Sequence, residues 1–87
     1  MRGAYVLIIS TVGSEEEVLE EVRGIPEVKE AHMVYGVYDI VARVEAETVQ
    51  GLKDIVHFKI GSIDKVHSTL NLLCVQPGGG EPNGWNV

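Results

Sequence analysis

The chain has 87 residues, 45% hydrophobic and 23% charged, which is the composition of one small folded domain. Seven Lys and Arg stand against thirteen Asp and Glu, a formal charge of −6. Without a cluster of cations to neutralise phosphates, direct binding to nucleic acid is excluded as an expectation. The lone cysteine, Cys74, cannot form an internal disulfide, no apolar run reaches membrane-spanning length, and Met1-Arg2-Gly3 leads straight into apolar sequence without a signal peptide's features. A cytoplasmic protein that does not enter membranes is expected.

Tyr5 to Thr11 is a Val- and Ile-rich run that predicts a strand apolar on both faces, with Tyr5, Leu7 and Ile9 on one side and Val6 and Ile8 on the other. Gly13, Ser14 and Glu15-Glu16-Glu17 then predict a helix start: Ser14 as cap, Glu17 closing a capping box, and the acids suited to the positive end of the helix dipole. Val18, Leu19 and Val22 form its apolar stripe, and Gly24 with Pro26 ends it. Val28 to Tyr35 and Tyr38 to Val44 predict two further strands, separated only by Gly36 and Val37, a hairpin in which Gly36 supplies the positive φ. Thr48 to Ile60 carries Val49, Leu52, Ile55 and Val56 at helical spacing, with Gly61 as terminator. A long last strand runs from Ile63 to Val75, with Val66, Leu70, Leu72 and Cys74 on one side and His67, Thr69, Asn71 and Leu73 on the other. From Pro77 to Val87 the chain is Gly- and Pro-rich, so the domain is expected over 1–76 and a flexible tail over 77–87, with Trp85 its one large aromatic.

The order strand–helix–strand–strand–helix–strand predicts the α+β, ferredoxin-like βαββαβ arrangement: a four-stranded antiparallel sheet, first and third strands central, both helices on one face. Helices on one face leave the other bare, yet the first strand is apolar on both sides and the third adds Val41. Monomers rarely expose such a patch, so two sheets are expected to pack face to face in a dimer of the α/β-barrel type.

Chemistry is sparse. His32, His57 and His67 have no metal-ligand spacing and no second cysteine to join them, so no metal or other cofactor is expected. Ser10, Ser14, Ser62, Ser68 and Cys74 stand beside no base, and Gly78-Gly79-Gly80 precedes no helix. What remains is the hairpin Tyr35-Gly36-Val37-Tyr38-Asp39 together with His67, Thr69 and Asn71 on the last strand. Free turn amides suit a carboxylate, and an adjacent Asp39 suits an ammonium group, a pairing that fits a zwitterion such as an amino acid. Asp39 serves equally well as a turn-stabilising residue.

The run Val28 to Val44, with Gly36 two residues before the aromatic Tyr38 and Asp39 directly after it, resembles the effector domain of Lrp/AsnC regulators, also called the RAM domain; Gly61 to Thr69 resembles its entry to the last strand. The resemblance runs from Tyr5 to Val75. It implies sheet-to-sheet dimers assembled into rings, and amino-acid effectors bound in clefts between neighbouring dimers. The matching site positions are Gly36, Val37, Tyr38, Asp39, His67, Thr69 and Asn71, with Tyr35, Val37 and Asn71 departing from the residues common there. Full-length members carry a helix-turn-helix domain before this module. Here the first strand begins close to Met1, so the expectation is a stand-alone, non-enzymatic sensor acting indirectly on transcription, by co-assembling with full-length relatives. Two other readings stay open. One is a small dimeric α/β-barrel enzyme of monooxygenase or isomerase type, which needs a cavity between sheet and helices lined by a His or an acid. The other is a structural assembly module with a vestigial site.

Overall fold

A computed structural model describes residues 2–74. The expected tail over 77–87, Trp85 included, lies outside the described residues. Strands β1 (Arg2–Ser10), β2 (Val28–Met33), β3 (Ile40–Ala46) and β4 (Val66–Leu73) form one antiparallel sheet in the order β2-β3-β1-β4, so the first and third strands are central as expected. Helices α1 (Glu15–Arg23) and α2 (Val49–Asp54) complete the ferredoxin-like α+β fold.

Period-two alternation sorts the side chains of β1 and β3 between the two faces of the sheet. Ala4, Val6, Ile8, Ile40, Ala42 and Val44 are buried under the helices, where they meet Val18, Leu19 and Val22 of α1 and Leu52 of α2. Burying an aliphatic side chain contributes about 1.5–3 kcal/mol, so this layer is the main source of stability. The space between sheet and helices is filled by these side chains. Arg23 fastens the end of α1 to β2, donating from Nε (3.0 Å) and from its terminal nitrogen (2.8 Å) to the Ala31 carbonyl. After Gly24 the chain turns through Ile25 and Pro26, with the Val28 N–H donating to the Ile25 carbonyl at 3.0 Å.

Several elements depart from the sequence expectation. The capping box does not form: the Ser14 carbonyl accepts the first helical bond from Val18 N–H, but its side chain caps nothing. Glu17 instead meets the Lys65 ammonium at 3.1 Å, and Glu15 turns back onto Gly13 N–H. The hairpin is wider than two residues. β2 stops at Met33 and β3 starts at Ile40, which leaves a loop over 34–39 whose base is closed by Val34 N–H donating to the Asp39 carbonyl at 2.9 Å. Gly36 does supply the positive φ, at 139°.

The second helix begins as expected, with the Thr48 side chain accepting from Gly51 N–H at 2.9 Å. It then widens into a π-helical stretch over Ile55–Ile60, closed by Gly61 N–H donating to the Val56 carbonyl at 2.7 Å. The widening lets Ile55, Val56 and Ile60 all reach the core while Phe58 is left exposed. A Cβ at Gly61 would lie 3.0 Å from the His57 carbonyl oxygen, so a glycine suits this end.

The last strand also differs. A bulge falls between Ile9 and Ser10, so that Ile9 pairs with Ser68 and Ser10 with Val66, and His67 opposes no β1 residue. Val66 therefore packs on the helix side against the core and not with Leu70 and Leu72, and His67 drops out of the row formed by Thr69 and Asn71. β4 is an edge strand with mostly exposed residues, so Cys74, half-buried just beyond it with its N–H on the Gly3 carbonyl, does not end a buried strand.

Candidate functional site

The loop over 34–39 is held at its base and open at its tip. In an antiparallel ladder alternate residues turn their backbone groups to the same neighbour, so Ile8 and Ser10 both face β3. Ile8 accepts from Asp39 N–H at 2.9 Å. The ladder with β3 ends there, and the Asp39 carboxylate replaces the missing strand: its Oδ2 accepts from Ser10 N–H at 2.8 Å and from Ser10 Oγ at 3.3 Å. Ser10 is the buried polar residue among those described, so this carboxylate satisfies donors that water does not reach. Asp39 is thus first an anchor for the loop, and its Oδ1 has no partner among the described residues.

Beyond the anchor the chain offers unused groups. The backbone amides of Tyr35, Gly36, Val37 and Tyr38 donate no hydrogen bond among the described residues. Tyr35 is fully exposed and Val37 is 79% exposed, while Tyr38 is half-buried. Beside the loop lies an open pocket of about 290 Å³, lined by Met33, Val34, Tyr35, Gly36, Asp39 and Glu15. Two carboxylates, a glycine turn and an apolar wall therefore share one surface depression.

Of the positions expected at the site, Gly36 and Asp39 line this pocket and Val37 and Tyr38 lie in the same loop. His67, Thr69 and Asn71 do not line it. Thr69 pairs with Ile8 and Asn71 with Val6 on the strand at the far side of β1, about two strand spacings, or roughly 10 Å, from β3. Asn71 lines a separate groove with residues of α2. One subunit does not bring the two groups together. Glu15, Met33 and Val34 were not foreseen at the site. Glu15 was legible only as a helix start, although the pairing of Ile8 with Ile40 sets the end of β1, the start of α1 and this loop at one end of the sheet.

The uncovered face of the sheet is divided. Across its strands run the rows Val41, Leu7, Leu70 and Arg43, Tyr5, Leu72, and Leu70 and Leu72 are 43% and 47% exposed. On the β2 side Arg43 pairs with Glu30 at 3.1 Å and also with Glu45, and His32 meets Glu30 at 3.2 Å. Burial pushes the Tyr5 phenol above its ordinary value of 10.0; nearby Cys74 adds to the rise, Arg43 opposes it and Glu30 adds a smaller part.

The Lrp/AsnC ligand binding domain model matches residues 4–76. The chain belongs to this family. Among solved structures, this Lrp/AsnC domain is 35% identical to FFRP-DM1, with a TM-score of 0.83 over 86% of this chain and 100% of that one. It is 26% identical to AsnC of E. coli, with a TM-score of 0.82, over 93% of this chain but only 55% of AsnC. The transcriptional regulator NMB0573 of Neisseria meningitidis, solved as a complex with L-Met, has the same fold at 15% identity, with a TM-score of 0.77 over 91% of this chain and 53% of the regulator. Among curated proteins no sequence matches this chain. The Lrp/AsnC ligand-binding domain is a regulatory effector-binding module. Among the described residues no group of three or more His, Cys, Asp or Glu side chains could hold a metal ion, and no helix is long and apolar enough to cross a membrane.

Proposed function

We propose that this Lrp/AsnC domain is a cytoplasmic, oligomeric amino-acid sensor whose binding cleft is completed by a second copy of the chain. The observation that carries the reading is the half-built site: the loop over 34–39 and its pocket stand on one side of the sheet, while Thr69 and Asn71 stand two strands away. A neighbouring subunit's β4, with His67, Thr69 and Asn71, is the natural complement to the loop. In that cleft the unused amides of Gly36 and Val37 hold the effector's carboxylate, and Glu15 with the free oxygen of Asp39 faces its ammonium. Met33, Val34 and Tyr35 take an apolar side chain. The partner needed for the first assembly step is another copy docked through the uncovered sheet face, where Leu7, Leu70, Leu72 and Val41 form one apolar patch. Dimers then join into rings, and full-length Lrp/AsnC regulators are the partners through which an acidic domain acts on transcription without touching DNA itself.

A thermal-shift screen of the twenty amino acids, with particle mass measured alongside, tests the proposal. An effector that binds only the folded assembly raises the melting temperature by mass action, by about 2.7 kcal/mol of added stability at a hundred times its dissociation constant. A flat response to all twenty, or a monomeric mass at every concentration, overturns it.

A further inference from the structure

Beside its apolar patch, the uncovered face of the sheet carries a strip of alternating charges. Glu30 stands between two partners: its Oε1 lies 3.2 Å from His32 Nε2, and its Oε2 accepts from Arg43 Nε at 3.1 Å. Arg43 in turn pairs with Glu45. While His32 is neutral, two carboxylates against one guanidinium leave one negative charge in excess. Protonation of His32 balances it. The remaining groups around His32 belong to classes that titrate far from neutrality. Arg23 and Lys29 share the outer edge of β2 with it and are turned to the Ala31 and Pro26 carbonyls. The Tyr5 phenol beyond Arg43, raised above 10.0 chiefly by burial, stays uncharged.

The strip and the patch cannot be covered separately. The cross-strand rows run His32, Val41, Leu7, Leu70 and Glu30, Arg43, Tyr5, Leu72, so charged and apolar groups share each row. Four strands span about 14 Å, and sheets packed face to face stand about 10 Å apart. A sheet of equal width laid over Leu7, on a central strand, therefore covers both margins. In a single subunit water still reaches the strip, His32 and Glu30 keeping 59% and 35% of their side-chain exposure. Apposition removes that water and brings two strips together. Unbalanced charge is costly to dehydrate, and like charges repel more strongly in the drier gap.

We propose that self-association through this face is proton-linked: protonation of His32 balances the Glu30–Arg43–Glu45 strip and tightens the dimer, and deprotonation loosens it. This rests on the sheet-to-sheet dimer proposed above and adds its regulation. Because the associated form favours the proton, affinity is greatest below the ordinary histidine range, near pH 6.5, and is lost as pH rises through it. Two excess charges about 10 Å apart, at an effective dielectric constant of about 20, alter an equilibrium constant roughly tenfold.

Sedimentation equilibrium at fixed ionic strength, at about pH 6 and about pH 7.5 on either side of the histidine range, tests this. The wild-type dissociation constant is expected to be about tenfold lower at the acid value. His32→Gln flattens the dependence at the weaker level. Glu30→Gln removes the excess charge at its source, so the dependence reverses. Association is then tight at the higher pH, and protonating His32 leaves a positive excess that weakens it at the lower one. Glu45→Gln gives the same reversal from β3, which guards against a local fault in β2. His57→Gln, in the helical layer, keeps the wild-type slope. A wild-type dimer with the same constant at both pH values overturns the inference and leaves the sheet-to-sheet dimer standing. So does a dependence that survives His32→Gln, or one that keeps its sign in both carboxylate variants. A monomer at every pH and concentration overturns the dimer and the inference with it.

Discussion

The two faces of β1 are made of the same aliphatic residues and have opposite fates. Val6 and Ile8 are wholly buried, whereas Leu7 between them is only half covered and its cross-strand neighbour Leu70 is 43% exposed. Nothing in the side chains separates the two sets. The helices do: α1 and α2 close one face within the chain, and the other face is left with the Arg43 network along one margin and the patch of Val41, Leu7, Leu70 and Leu72 beside it. Burial that a chain completes by itself supports folding, while apolar surface left over after folding is available for association.

The largest expected effect comes from charging the closed face. Ile8→Asp places an unpaired carboxylate in a dry core, which costs several kcal/mol and exceeds what a small domain has to spare. Loss of the folded circular dichroism signal at neutral pH is the expected outcome, and a cooperative melt near that of the wild type contradicts the division between faces. Leu7→Asp makes the sharper comparison from one position away. Its carboxylate reaches solvent in the monomer, so the variant is expected to fold but to sediment as a monomer. If it remains a dimer, the uncovered face is not the interface.

Asp39 sets the loop against the sheet. Asp39→Ala strips the acceptor from Ser10 N–H and Oγ, and leaving a buried donor unpaired costs about 1–3 kcal/mol, read as a lower urea midpoint. Asp39→Asn keeps an oxygen for Ser10 while removing the charge, so stability is expected to recover while amino-acid affinity does not. Equal affinity in the wild type and Asp39→Asn removes Asp39 from ammonium recognition. The smallest effect belongs to Glu27, which the Lys59 ammonium at 2.9 Å holds below its ordinary value of 4.5, chiefly through that hydrogen bond. Because the folded value is the lower one, its contribution is complete above the unfolded value and is lost as pH falls through the folded value. Glu27→Gln should slightly flatten the acid limb of a stability–pH curve, the pair being exposed to solvent.

Much of the fold was legible because each element has its own period and stop. The stripe of Val18, Leu19 and Val22 is buried as its spacing implies, and Ile40, Ala42 and Val44 fall on the core side as alternation requires. Three of the misreadings arise where a distant residue competes with a local one. Glu17 is within reach of a capping box, yet Lys65, 48 positions along the chain, takes it. The spacing of Gly36 and Val37 predicts a two-residue turn, but the loop spans 34–39, with Asp39 held by Ser10, 29 positions away. Alternation along the last strand could not announce a bulge that depends on its pairing with Ile9 and Ser10. The candidate site suffers most from this. Gly36 and Asp39 are marked by local turn chemistry, whereas Glu15 enters only because the topology sets the start of α1 beside the loop.

The amino-acid sequence by itself determined the βαββαβ order, the central place of the first and third strands and the apolar character of both faces of β1, since these follow from periodicity, short connections and the right-handed crossover. Tertiary structure alone decided which of those faces is closed, that Asp39 is tied to Ser10, and that the loop residues and Thr69 with Asn71 stand apart on opposite sides of the central strands. Periodicity assigns a side chain to a face, but it does not say which face the helices will cover. Hydrogen bonds between distant residues exist only once the strands are paired.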